Sequence, residues 1–137
     1  MAAPGRLDGV TDALVVVKVP GKGRGVVAGR RLAQDELLER APVLVLSAEE
    51  WEIARQTDIA RYCFSWGRGG RSAGIALGTA SLFNHSYSPN AFARPLVKER
   101  LMEFVALRNI EEKEEITINY NGEPDDRRPV GFRVRER

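Results

Sequence analysis

His85 is the only histidine in the chain, and it lies in Ser-Leu-Phe-Asn-His-Ser-Tyr-Ser-Pro-Asn-Ala-Phe, residues 81–92. Asn84, His85, Ser86, Pro89 and Asn90 make this stretch too polar for a core strand and too aromatic for a plain loop. An imidazole among hydroxyls invites a nucleophilic triad. The available nucleophiles are Ser86, Ser88 and Cys63, and none sits in a nucleophile elbow. Read alone, His85 is a half-buried side chain with satisfied polar atoms, and Pro89 marks a turn. Two other groups could do chemistry. One is Gly-Lys-Gly-Arg-Gly at 21–25, where glycine permits positive φ and close approach of backbone to a ligand. The other is Glu-Glu-Ile-Thr-Ile-Asn-Tyr at 114–120, where a strand end could aim the Tyr120 phenol into a cleft.

The glycine cluster is not a nucleotide motif. A P-loop needs four spacers and then Gly-Lys-Ser/Thr, which is absent. A dinucleotide fingerprint must open a helix, whereas Val26 and Val27 continue as a strand. Alone, the cluster is a tight hairpin turn.

The elements that must position these groups are mostly strands. Residues 13–19 form a β-branched run, 20–25 a turn and 26–32 its return strand. Residues 36–47 read as a strand, with Pro42 favouring an edge or a kink. Ser47 followed by Glu50 is a capping box, which predicts a helix over 48–56. Short strands are expected at 61–66, 101–110 and 114–120, and a Gly/Arg-rich loop at 67–74.

With 137 residues, 43% hydrophobic and 29% charged, the chain fits one domain with one core. A net charge of +2 does not call for nucleic acid as partner. An Arg-Gly-Gly-Arg segment at 68–71 could contact RNA, but one copy inside a domain reads as a solvated loop. One cysteine, Cys63, and one histidine cannot build a structural zinc site or a disulfide framework, so no metal is expected. The reading is a cytoplasmic protein in a reducing setting, with no signal peptide and no membrane span.

In order and spacing, GKGRGVVA, YCFSWG, FNHSYSPNAF and EEITINY resemble the SET-domain protein lysine methyltransferases. That family carries an early Gly-x-Gly, a Tyr-x-Phe strand, Asn-His-Ser-x-x-Pro-Asn and a terminal Glu-Glu-Leu-Thr-x-x-Tyr. The resemblance spans roughly residues 14–122, and the Asn-His-Ser-x-x-Pro-Asn block is its specific part. The chain departs from the family at Tyr87, where cysteine is frequent, and at Leu82 ahead of Phe83. It also lacks the cysteines and flanking domains of many eukaryotic members, which suggests a minimal version of bacterial or viral type.

The resemblance implies a mostly β SET-domain fold. Several small curved sheets, one or two short helices and a knot-like crossing near the C-terminus are expected over 1–122, with a tail at 123–137. It implies S-adenosylmethionine as methyl donor and a protein lysine as acceptor. Lys22, Gly23, Arg24, Asn84 and His85 would surround the donor, and Phe132 would close the site from the tail. Tyr120 would be the catalytic residue. Tyr62, Phe64 and Phe92 are candidates for the substrate channel, and Phe64 and Phe92 read equally well as core. A homodimer could complete the substrate groove. The competing reading is a non-catalytic module that keeps the fold.

Overall fold

Gly21 and Gly23 both take φ of +77°, and they make the first connection a tight one. The structure is a computed structural model, and it describes residues 13–130 and 134. Strand β1 (Leu14–Val19) turns back at Pro20-Gly21-Lys22 into β2 (Gly23–Ala28), with Val19 facing Gly23 in the register. The return strand therefore begins three residues earlier than the sequence predicts. Gly25 lies in the strand because only a glycine fits there. A Cβ at that position would stand 2.6 Å from Asn84 Nδ2 and from Val19 Cγ2.

The main sheet has the order β4 (Cys63–Trp66), β5 (Ser72–Ala76), β3 (Leu37–Leu46), β8 (Leu101–Ala106), β7 (Ala91–Leu96). Its centre, β3 (Leu37–Leu46), pairs with β8 (Leu101–Ala106) through Pro42 and with β5 (Ser72–Ala76) from Val43 onward. Pro42 is thus on neither an edge strand nor a free end. It stands where the strand exchanges partners, and a missing N–H is tolerated there. A β-bulge between Leu37 and Glu39 places Leu38 and Glu39 both inside. The buried Glu39 carboxyl then accepts hydrogen bonds from Thr79 N at 3.2 Å and Ala80 N at 2.8 Å. That fixes the 3-10 turn Thr79–Leu82, which leads into Asn84.

Two strands of this sheet lie where the sequence predicts loop or nothing. β5 occupies the second half of the expected 67–74 loop, and its Gly74 is required by packing. A Cβ on Gly74 would meet Val43 Cγ1 at 2.7 Å and the Trp66 ring at 3.1 Å. β7 (Ala91–Leu96) carries Pro95, which an edge strand accepts. β4 (Cys63–Trp66) follows a 3-10 turn, Asp58–Tyr62, capped by Thr57. Helix α1 (Ala48–Ala54) has the predicted capping box in full, yet none of its residues is buried.

Inside, Phe83 meets Phe104 edge-on at 5.5 Å, among Leu32, Leu38, Met102 and Ile110. The expected strand 114–120 shrinks to β9 (Thr117–Ile118), which pairs in parallel with β6 (Asn84–His85). This is the crossing near the C-terminus, and mostly β architecture in small sheets is what the sequence predicted.

Removing Glu39 should loosen the approach to that crossing. Glu39→Ala leaves two backbone donors without their acceptor, a loss of about 3 kcal/mol. Glu39→Gln keeps one oxygen acceptor and should lose less. Urea midpoints of the two variants check this, and a Glu39→Ala midpoint equal to wild type would refute the role.

Candidate active site

Tyr120 is held at two points. Its backbone N–H donates to His85 Nδ1 at 3.0 Å, and its hydroxyl donates to the Phe83 carbonyl at 2.7 Å. His85 is buried, with its ring edge-on to Tyr87 at 4.5 Å and tilted against Tyr120 at 5.3 Å. An Nδ1 that accepts a hydrogen bond is unprotonated, so His85 orients the Tyr120 backbone. Tyr120 itself is 40% exposed, so one side of it meets solvent while its hydroxyl is tied inward. Burial, then the Glu115 charge and Tyr62, push its pKa up to about 12. The phenol is neutral at physiological pH and acts as a donor.

Tyr120 opens onto a cleft of about 210 Å³ lined by Trp51, Phe64, Pro95 and Met102, with Asn121 beside it. Of the three channel candidates, Phe64 lines this cleft and also packs edge-on against Phe104 at 6.1 Å. Tyr62 ends its 3-10 turn near enough to Tyr120 to contribute, after burial and Glu115, to the rise in its pKa. Phe92 lies on the opposite parity of β7 from Ala93 and Pro95, the two residues of that strand that line the cleft. Trp51, Met102 and Pro95 carried no signal in the sequence beyond being apolar. Gly70 of the Arg-Gly-Gly-Arg segment also reaches the cleft wall.

The glycine turn meets the Asn-His-Ser segment through Glu115. Glu115 Oε1 takes Lys22 Nζ at 2.8 Å, and Oε2 accepts from Asn84 Nδ2 at 2.8 Å. Asn84 Nδ2 also donates to the Arg24 carbonyl at 3.0 Å. The Lys22 and Glu115 side chains are only 11% and 10% exposed. Sequence reasoning brought Lys22, Arg24 and Asn84 to one site but missed Glu115. Its partner Lys22 is 93 positions away, and nothing local marks one acid of the Glu-Glu pair. At Gly23 the position a Cβ would take is empty to 4 Å, so the turn presents open backbone.

Two asparagines fasten the crossing. Asn90 donates to the Glu115 carbonyl at 2.8 Å and accepts from Thr117 N at 2.9 Å. Asn119 donates to the Asp126 carbonyl at 2.6 Å and so ties down the tail. Tyr87 and Asn121 both donate to the Arg128 carbonyl, at 3.1 and 2.6 Å. Phe132 lies outside the described residues. Among the described residues no cluster of His, Cys, Asp or Glu could hold a metal, and no helix is long and apolar enough to cross a membrane.

The profile of the SET domain matches residues 23–121. A Schizosaccharomyces pombe protein, "Histone-lysine N-methyltransferase, H3 lysine-37 specific", is 33% identical over 116 residues. That match takes in 84% of this chain and 78% of the relative. A Plasmodium falciparum protein provisionally described as a histone methyltransferase superposes with a TM-score of 0.65 at 27% identity, covering 81% of this chain and 95% of that one. The ctPRC2 complex in an autoinhibited conformation bound to S-adenosylmethionine contains the same fold, at TM-score 0.65 and 19% identity over 79% of this chain and 15% of that one. Motif order, crossing strands and these likenesses agree: the chain belongs to the SET-domain family of S-adenosylmethionine-dependent protein-lysine methyltransferases.

Proposed function

We propose that this chain methylates a lysine in a histone tail, with Tyr120 as the residue that touches the reacting amine. The observation that carries this reading is the Tyr120 hydroxyl, locked on the Phe83 carbonyl at the edge of a cleft walled by Phe64 and Trp51. The histone is suggested by the fission-yeast relative.

The residues fit the methyl donor. The open backbone at Gly23 is a cradle that a side chain would fill. Lys22 and Asn84 offer a cation and an amide to an amino-acid end, and phenol and carbonyl oxygens suit a sulfonium. S-adenosylmethionine supplies a methyl group on a positively charged sulfur. The protein's part is to bind and align the acceptor and to favour its neutral amine, whose proton leaves to solvent before transfer. A free lysine has a pKa of about 10.4, and an apolar wall together with a nearby cation favours its neutral form. Tyr120, itself neutral, cannot be the base at physiological pH. Its proton is engaged by the Phe83 carbonyl, which leaves the hydroxyl lone pairs to accept from the amine N–H and fix the direction of the nitrogen lone pair. Carbonyl oxygens can hold a polarised methyl by weak C–H···O contacts.

The tail, 123–137, completes the site in this reading, supported by its bonds to Tyr87, Asn119 and Asn121. A cytoplasmic setting and pairing with a second copy remain parts of the proposal.

Histone H3 peptides and intact histone, with each candidate lysine replaced by arginine, test the acceptor directly. Loss of methyl incorporation on one replacement identifies it, and no incorporation into any histone refutes the reading. Tyr120→Phe should reduce single-turnover methylation by roughly a hundredfold, about 3 kcal/mol of transition-state stabilisation. Donor affinity should be retained, and the unmet Phe83 carbonyl should lower stability by only about 1 kcal/mol. Equal rates would remove Tyr120 from the chemistry.

The raised pKa gives a second expectation. Unfolded tyrosine ionises near 10, whereas folded Tyr120 keeps its proton to about 12. The folded state binds more protons in that window, so stability is full below pH 10 and falls as pH rises towards 12. Alkaline denaturation of Tyr120→Phe should therefore be shallower than that of wild type, as read by circular dichroism. Truncation after Gly122 should weaken donor binding and turnover together, and calorimetry showing unchanged donor affinity would reduce the tail to an ordinary chain end.

A further inference from the structure

Asn84 has two amide protons, and the structure assigns both. One goes to the Arg24 carbonyl at 3.0 Å and the other to Glu115 Oε2 at 2.8 Å. With Nδ2 committed on both sides, the side chain has one orientation, and Oδ1 must face away from Arg24 and Glu115. The other Glu115 oxygen is occupied by Lys22 at 2.8 Å, in a pair whose side chains are each about nine-tenths buried. Gly25 makes this convergence possible, because a Cβ there would stand 2.9 Å from Glu115 Oε2 as well as 2.6 Å from Asn84 Nδ2. The Glu115 backbone is itself fixed, by its bridge to Val27 and by the Asn90 side chain on its carbonyl.

We propose that Glu115 is a positioning residue for the methyl donor: its carboxylate bridges Lys22 and Asn84, sets the Asn84 amide so that an oxygen faces the ligand, and holds the glycine turn against β6. This rests on the reading that the donor lies between that turn and Asn84. An amino-acid end carries an ammonium and a carboxylate. It is offered a fixed acceptor at Asn84 Oδ1 and a restrained cation at Lys22. Without the Glu115 charge the Asn84 amide is held by the Arg24 carbonyl alone and its orientation loosens, and Lys22 is left charged in a poorly hydrated place. The Glu115 charge also reaches Tyr120, where it helps keep the phenol protonated.

The experiment compares wild type, Glu115→Gln, Lys22→Met and the double variant. A plain structural role predicts that the double variant, which has no buried unpaired charge, recovers stability and binds the donor as Lys22→Met alone does. Positioning predicts that thermal stability recovers while S-adenosylmethionine affinity by calorimetry stays about tenfold or more below that of Lys22→Met alone, with the KM for the lysine peptide unchanged. A donor-independent readout is the Asn84 side-chain amide pair in a nitrogen-15 spectrum. In wild type both protons should be protected from exchange, and in Glu115→Gln at least one should lose protection. Donor affinity in the double variant equal to that of Lys22→Met alone, or a fully protected Asn84 amide in Glu115→Gln, overturns the inference. These outcomes are separate from failure of the histone reading, which shows as wild-type protein that binds the donor but methylates no histone.

Discussion

Asn90 is buried, and its side chain takes the place of a missing strand residue. It donates to the carbonyl of Glu115 and accepts from the N–H of Thr117, so it completes the edge of β9 from outside. The parallel pair β6–β9 is two residues long, too short to hold a register by its own ladder. Asn90, the Ser86 N–Ile118 O bond of 2.9 Å and the Tyr120 N–His85 Nδ1 bond supply the rest. Register matters more here than stability. A slip of one residue would turn Tyr120 to the opposite face and take Glu115 away from the glycine turn in the same movement. The Glu115 contacts to the glycine turn and the placement of the Tyr120 phenol are thus set by one clamp on one six-residue stretch.

The same stretch raises an electrostatic difficulty and contains its solution. Glu115 lies close enough to Tyr120 to raise the pKa of the phenol. An uncompensated carboxylate so close would also stabilise an incoming lysine as ammonium, which cannot attack. Lys22 offsets it. Paired at 2.8 Å, the two side chains leave little net charge at the turn while keeping both carboxylate oxygens in place as acceptors. The buried pair contributes little net stability, because desolvation cancels much of the Coulomb attraction. Its use is geometric.

Much of this was legible in the sequence, and the rest was hidden for identifiable causes. The capping box at Ser47 and the β-branched runs of β1 and β3 report on neighbours within a few residues, and they predict elements that the structure contains. The motif order also brought Lys22, Asn84, His85 and Tyr120 to one region. β5 was hidden because Gly74 reads as a loop residue, although its glycine is demanded by Val43 and Trp66 from two other strands. β7 was hidden by Pro95, which is tolerated only because tertiary structure puts the strand at an edge. The inward turn of Glu39 depends on a bulge, and the role of Glu115 depends on a lysine 93 residues away. Each of these is a long-range contact written into a residue whose local signal points elsewhere.

The tail carries the same lesson into function. An aromatic, Phe132, was the expected reason for it to dock. Phe132 lies outside the described residues, and the described anchors are polar: Asn119, Asn121 and Tyr87 each donate to a tail carbonyl, of Asp126 or Arg128. Tyr87 stands where the family frequently has a cysteine, and the chain has no cysteine but Cys63. Here the position fastens residue 128 of the tail by a phenolic hydrogen bond. Bonds to backbone carbonyls ask nothing of the tail's side chains, so its sequence can vary while its path is kept. Partly exposed hydrogen bonds of this kind contribute only about 1 kcal/mol each. Together such bonds to Pro124, Asp126 and Arg128 fix the path of the described tail without asking it to bury apolar surface.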